Sequence, residues 1–182
     1  VRLNLADTLT LTPTAQGVTL EVTGHFSTGV PTDSSNLAFR AAELYLQAAN
    51  VPEGVALTLE KHIPVAAGLG GGSADAAAVL HGLAELYPAG LDLFPLATQL
   101  GSDVGFFVFD VTAARAQGRG ELLEHLFVPK LNLVLVNPGV AVSAADAYGH
   151  LQRTSEGLDV NRITTCLFEG REPSLHNDLE TG

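Results

Sequence analysis

The chain contains no methionine, no tryptophan and a single cysteine, Cys166, among its 182 residues. One cysteine excludes an internal disulfide framework and fits a reducing compartment, read here as the cytoplasm. Basic residues are scarce as well: nine Lys and Arg stand against twenty Asp and Glu, a formal net charge of −11. Such a surface repels nucleic acid and anionic membranes, so neither is expected as a partner, and any bound phosphate has to be held locally. No apolar run approaches the roughly 20 residues needed to cross a bilayer, and the start shows no basic-then-apolar leader. With no initiator methionine, and with Val1 opening directly into alternating residues, the expectation is a fragment. The six histidines have no metal-ligand spacing, so no metal site is assigned to them.

What is present is a chain with 46% hydrophobic and 16% charged residues, enough apolar material for a sizeable core. Val1 to Leu11 and Val18 to Val22 alternate about a turn at Ala15 to Gly17, which predicts a pair of hairpin strands. Pro31 to Asn36 is a helix-entry cluster, followed by Leu37, Ala41, Leu44, Tyr45 and Ala48 at helical spacing. Val55 to Lys61 alternates again and predicts a strand. A helix is expected over Ser73 to Tyr87 and a short one over Phe94 to Leu100. Val104 to Phe109 and Val111 to Gln117 read as strands about a turn at Asp110, and Leu131 to Val136 as a short buried strand. Two more helices are expected, over Ser143 to Leu151 and Val160 to Phe168. Strands and helices interleave with no fixed repeat, which indicates an α/β or α+β class. The composition shifts near Pro129, and a domain boundary is expected there, dividing residues 1–129 from 130–182.

Between the third strand and the second helix lies the most informative stretch, Pro64, Val65, Ala66, Ala67, Gly68, Leu69, Gly70, Gly71, Gly72, Ser73 and Ala74. Its glycines permit positive φ and close approach of a ligand, and the helix that follows offers unpaired N–H groups at a positive dipole end. The alternative is a merely flexible turn. It is not a Rossmann fingerprint, because Ser73 replaces the last glycine, and no lysine follows Gly72 as a Walker A loop requires. Asp75 stands where a serine-hydrolase elbow needs glycine. An acid there balances the helix dipole or orients Mg²⁺ through water. Cys166, on the apolar face of its helix, reads as a small buried hydrophobe.

The loop resembles the second motif of the GHMP kinases. The resemblance extends to Ser35 to Leu37, Lys61 to Pro64, Gly101 to Phe107, Gly118 to Glu121, Asn137 to Tyr148, and Asn177 with Asp178. It implies a two-domain α+β fold, with an N-terminal β/α domain and the start of a smaller C-terminal α/β domain. It also implies ATP and Mg²⁺ as cofactors, with Pro64 to Ala74 around the triphosphate and the Ser73 hydroxyl near phosphate or Mg²⁺. Asn36, Leu37 and Lys61 match positions around the adenine. Asp103 matches the catalytic aspartate, which also touches substrate and takes the hydroxyl proton; taken alone it reads equally as a turn aspartate. Tyr148 matches an aromatic position that stacks on cytosine, while its own helical spacing also suits a core aromatic.

The implied activity is ATP-dependent phosphorylation of a small-molecule alcohol, a cytidyl-diphospho methylerythritol of non-mevalonate isoprenoid synthesis. The rivals are a GHMP kinase acting on homoserine, mevalonate or a sugar, and a non-catalytic nucleotide-binding module. The family's first motif, with a lysine and a Gly-Tyr-His, is not found before Val1, and its third is not found after Gly182. Gly105 replaces a common proline, and Ala144 a common threonine.

Overall fold

The structure, a computed structural model, describes residues 1–140, 142, 144–151, 157 and 159–181. Its central sheet has β1 (Thr8–Thr14), β2 (Val18–Thr23) and β3 (Gly54–Glu60) in the order β1-β3-β2. β3 runs antiparallel to β1 and parallel to β2, and α1 (Leu37–Ala48) makes the crossover between the parallel pair. The alternation read from the sequence is realised in register. Leu9, Leu59 and Val22 form one row, Leu11, Leu57 and Leu20 the next, and Pro13, Val55 and Val18 the third. These rows face the helices, while Thr58 and Glu60 point the other way and are exposed.

The expected hairpin does not form, because β3 lies between its two arms. Neighbouring strands are about 4.8 Å apart, and three linking residues easily reach across two such spacings. The link is fixed to β3 itself: the Val55 N–H donates to the Gly17 carbonyl at 2.9 Å. A side chain at Gly54 would collide with the Gln16–Gly17 backbone. Residues 1–7, expected in the first strand, precede it without strand structure.

α1 begins where its cap predicts: Asn36 Oδ1 accepts from the Ala38 N–H at 2.9 Å, and Asn36 Nδ2 donates to the Pro31 carbonyl at 2.8 Å. α2 (Gly71–Leu86) starts two residues earlier than expected, inside the glycine run. It packs on α1 and on β1, where Gly82 leaves room for Leu11. α3 (Leu93–Leu100) is capped by Asp92. Tyr45 and Tyr87 tie the layers together: the Tyr45 hydroxyl donates to the Tyr87 carbonyl at 2.8 Å, and the Tyr87 hydroxyl to the Gly54 carbonyl at 2.9 Å.

Three further expectations are corrected. Val104 to Phe109 is not a strand but the short helix α4 (Val104–Val108), packed on α2 and α3. A six-residue apolar run carries too little periodicity to separate the two states, and packing decides. Of Val111 to Gln117 only β4 (Ala114–Gln117) is strand, paired antiparallel with β5 (Leu122–His125), which sequence reading missed. Leu131 to Val136 is neither strand nor buried; Val134 is 90% exposed. No strand pairs with it among the described residues, and an extended segment needs neighbours for its backbone groups and its apolar face.

Beyond it lie α5 (Ala144–Gly149) and α6 (Val160–Phe168). The start of the expected helix at Ser143 falls outside the described residues. Cys166 is buried, as expected of a small hydrophobe. The main core draws on residues 9–108. Among the described residues no helix is long and apolar enough to cross a membrane.

Candidate active site

The loop between β3 and α2 is built on backbone conformation. Gly68 and Gly70 have φ of +70° and +68°, and Gly70 is the residue that turns the chain into α2. No side chain caps that helix. Its first backbone bond runs from the Ala74 N–H to the Gly70 carbonyl at 2.9 Å, so the N–H groups of Gly71, Gly72 and Ser73 have no acceptor within the helix. They point with the positive end of a sixteen-residue helix into the loop. Ala66 also takes a positive φ of +54°, a conformation unfavourable for a residue with a Cβ, and its carbonyl accepts from the Val142 N–H at 3.2 Å. The geometry is that of an anion cradle.

Two expected neighbours of the loop are in place. Leu37, at the opening of α1, lies close to Gly72: a Cβ added there would be 3.8 Å from Leu37 Cδ1. Asn36 precedes it, with its amide engaged in capping. On the other side the Phe107 ring closes on Gly70, where a Cβ would sit 3.3 Å away. This braces α4 against the loop. Asp103 is the residue that opens α4, one turn before Phe107 and about 6 Å along the helix on the same face. Its side chain caps nothing and it is exposed. The turn at Gly118 to Glu121 packs beside it, since a side chain at Gly120 would strike the Ser102 carbonyl. Tyr148 is 66% exposed on α5, which excludes its reading as a core aromatic.

Lys61 is placed differently from an open ligand contact. Its side chain is 4% exposed and pairs with two carboxylates that are equally hidden, Asp7 and, at 2.8 Å, Asp75. Asp7 also accepts the N–H groups of His62 and Ile63, at 2.5 and 2.8 Å. Asp75 therefore does more than balance a dipole from the surface, for it is buried one turn into α2 against an ammonium. Burial pushes the Asp75 carboxyl up to about 6; Lys61 pulls it down and Asp7 adds repulsion. Burial also opposes ionisation of Asp7, but Lys61 and the two backbone donors outweigh it and hold Asp7 below its ordinary value. Sequence reading missed Asp7 altogether; the signals that could have found it are an acid in the leucine phase of Leu3, Leu5, Leu9 and Leu11 and a lysine in the phase of Leu57 and Leu59.

A cavity of about 660 Å³ runs along α2 from this cluster. Gly68 and Leu69 of the loop, Asp7 and Asp75 of the cluster, and Phe107 and Asp110 of the α4 region all line it, and Asp103 does not. Among the described residues no group of three or more His, Cys, Asp or Glu side chains is arranged to hold a metal ion.

Residues 36–115 match the family described as the GHMP kinases N terminal domain. The chain is 45% identical over 179 residues to 4-diphosphocytidyl-2-C-methyl-D-erythritol kinase of Thermus thermophilus, a match covering 97% of this chain and 62% of that protein. The kinase of the same name from Deinococcus radiodurans is 44% identical over 190 residues, covering all of this chain and 62% of its own length. The chain thus spans about 62% of the length of these curated relatives. Among solved structures, a 4-(cytidine 5'-diphospho)-2C-methyl-D-erythritol kinase superposes with a TM-score of 0.82 at 43% identity, covering 97% of this chain and 63% of that one. A homoserine kinase from Cytophaga hutchinsonii shares the fold at a TM-score of 0.64 and 19% identity. The α+β fold, the glycine loop opening α2 and these matches agree: the chain belongs to the GHMP kinase family.

Proposed function

We propose that the protein is an ATP-dependent kinase that phosphorylates the 2-hydroxyl of 4-diphosphocytidyl-2-C-methyl-D-erythritol, an isoprenoid precursor. The observation that carries the reading is the uncapped N-terminus of α2, entered through the left-handed Gly70, in a chain 45% identical to kinases of that name. The residues present suit a triphosphate. Backbone N–H groups supply most of what phosphoryl transfer asks for, which is alignment and charge neutralisation rather than covalent chemistry.

In this reading Pro64 to Ala74 wraps the triphosphate, with Asn36 and Leu37 on the adenine side and Lys61 forming the wall behind the loop. The Ser73 hydroxyl, in the first turn of α2, faces phosphate or Mg²⁺. The ion would be shared with the nucleotide, since Mg²⁺ seldom needs an all-protein cage. Asp103 accepts the proton of the substrate hydroxyl as its oxygen bonds to the γ-phosphorus. The bond from that phosphorus to the bridging oxygen breaks, and ADP leaves. Exposure suits this role, because the carboxylate has no competing partner in the α4 cap. Tyr148, exposed on α5, is free to stack on the cytosine.

The test is transfer of label from γ-labelled ATP to the cytidyl substrate, with homoserine, mevalonate and a sugar as competing acceptors. Label on the cytidyl substrate alone is the expected result. Label on one of the other alcohols, and none on the cytidyl compound, would contradict the proposal.

A further inference from the structure

The buried cluster of Asp7, Lys61 and Asp75 joins three separate pieces of chain beneath the loop. Asp7 lies just before β1, Lys61 just after β3, and Asp75 one turn into α2. Side-chain exposures of 3%, 4% and 7% leave none of the three free to reach outward. The backbone of Lys61 is gripped too. Its N–H donates to the Thr23 carbonyl at 2.8 Å, its carbonyl accepts from Phe26 at 3.3 Å, and Gly24 packs so closely on it that any Cβ would collide. Directly above sits the loop: a Cβ at Gly71 would be 3.1 Å from Ile63 Cγ2 and 3.5 Å from Lys61 Nζ. The first residue of α2 therefore rests on the ammonium and on the residue whose N–H Asp7 holds.

We infer that Asp7 is a positioning residue for the phosphate-binding loop: it fixes Lys61 and the Lys61–Ile63 turn, and through Lys61 it anchors Asp75 and the first turn of α2. Lys61 then serves nucleotide binding from behind, its side chain setting where the Gly71 to Ser73 N–H groups point. The physical reason is one of stiffness. A loop rich in glycine has many accessible conformations, and presenting three N–H groups to one phosphate requires most of them to be removed beforehand. A hydrogen-bonded ion cluster that is almost wholly buried is a strong local constraint, provided that every partner is present. The inference rests on the nucleotide reading above for its ligand, but the anchoring itself is a property of the free protein.

Asp7→Asn is the informative substitution. Asn keeps an oxygen for the His62 and Ile63 N–H groups, and it loses the charge that holds Lys61. Hydrogen exchange of the ligand-free chain reads the anchoring directly. Exchange of the Ala74 to Ala76 amides, the first in α2 with helical acceptors, should rise by roughly ten- to a hundredfold, the range lost with a charge-assisted hydrogen bond, while Val79 to Leu83 deeper in the helix hold. Unchanged exchange at Ala74 to Ala76, or an equal rise along all of α2, overturns the inference. Asp75→Asn removes the other partner of Lys61 and should give the same pattern if Asp7→Asn fails to fold.

Calorimetry with inorganic tripolyphosphate and with adenosine supplies the second arm. Asp7→Asn should weaken tripolyphosphate about tenfold and leave adenosine unchanged. An equal loss for both probes would mean a general structural role or direct adenine contact, and would also overturn the inference. A wild-type chain that binds neither probe overturns the nucleotide reading, separately from the exchange result.

Discussion

Two helices open side by side in this fold, and they treat their acidic residues in opposite ways. α2 begins at a left-handed glycine with no side-chain cap and keeps Asp75 buried against Lys61. α4 begins at Asp103, whose carboxylate is exposed and makes no cap bond. A carboxylate buried against an ammonium can hold a structure in place but is little exposed to an incoming substrate. One left open to solvent contributes little to the fold and is available for a proton. The difference teaches that acids in one site divide by burial into those that shape the loop and the one proposed for the chemistry.

The largest expected effect breaks the α2 side of that comparison. Lys61→Met leaves two buried carboxylates without their cation, and removing one member of a buried ionic cluster typically costs about 3–5 kcal/mol. Chemical denaturation should show a loss of this size; a variant as stable as the parent would mean that the cluster is not what holds the loop. Next, Gly71→Val inserts a branched side chain against Ile63 and Lys61. Overpacking of this kind costs about 1–3 kcal/mol, and ATP affinity should fall with it, as seen by calorimetry. Crowding is the reason, since the left-handed turn belongs to Gly70 and not to Gly71.

A pH series sharpens the same side. The folded chain keeps the Asp75 proton up to about pH 6, whereas the unfolded chain releases it near the ordinary 3.8. Between those values the folded state binds more protons, so the Asp75 contribution favours folding at the acid end and is lost as pH rises toward about 6. Asp7, held below its ordinary value, acts in the other sense, and its contribution is lost as pH falls further. Melting temperatures of wild type minus Asp75→Asn should therefore decline from pH 4 to pH 6. A difference that rises across that window would mean that Lys61 outweighs burial at Asp75. The smallest effect lies outside both helices: Val134→Ala, at a side chain 90% exposed, should change stability by less than about 0.5 kcal/mol.

How much of this was legible in the sequence depended on distance along the chain. α1, α3 and α6 could be read from local spacing, and the entry to α1 from the cluster that ends at Asn36, whereas Asp92 and Asp159 emerge as the caps of α3 and α6 in the structure. The loop could be read because its glycines and its helix are contiguous. The alternation of β1, β2 and β3 was visible, but not that β3 comes between the other two, because pairing over forty or more residues leaves no local mark. Asp7 meets a lysine 54 residues away, a pairing with no local mark, although the acid itself stands where the alternation of Leu3, Leu5, Leu9 and Leu11 calls for a leucine. Val104 to Val108 failed for another reason, as a run that short has no period and took its state from packing on α2. Leu131 to Val136 was read from composition alone, and apolar composition does not bury a segment that has no strand to pair with among the described residues.

Asp103, and not the buried acids, is the residue proposed for the chemistry, and the most direct measurement is single-turnover phosphoryl transfer by Asp103→Asn at saturating ATP and cytidyl substrate, alongside a thermal melt. The amide matches the carboxylate in shape and cannot take the hydroxyl proton, so the melt and ATP affinity should match wild type. The transfer rate should fall by roughly 10²–10⁴-fold, the usual worth of a general base. A folded Asp103→Asn protein that transfers phosphate at the wild-type rate would contradict the account and leave Asp103 as an ordinary helix-opening residue.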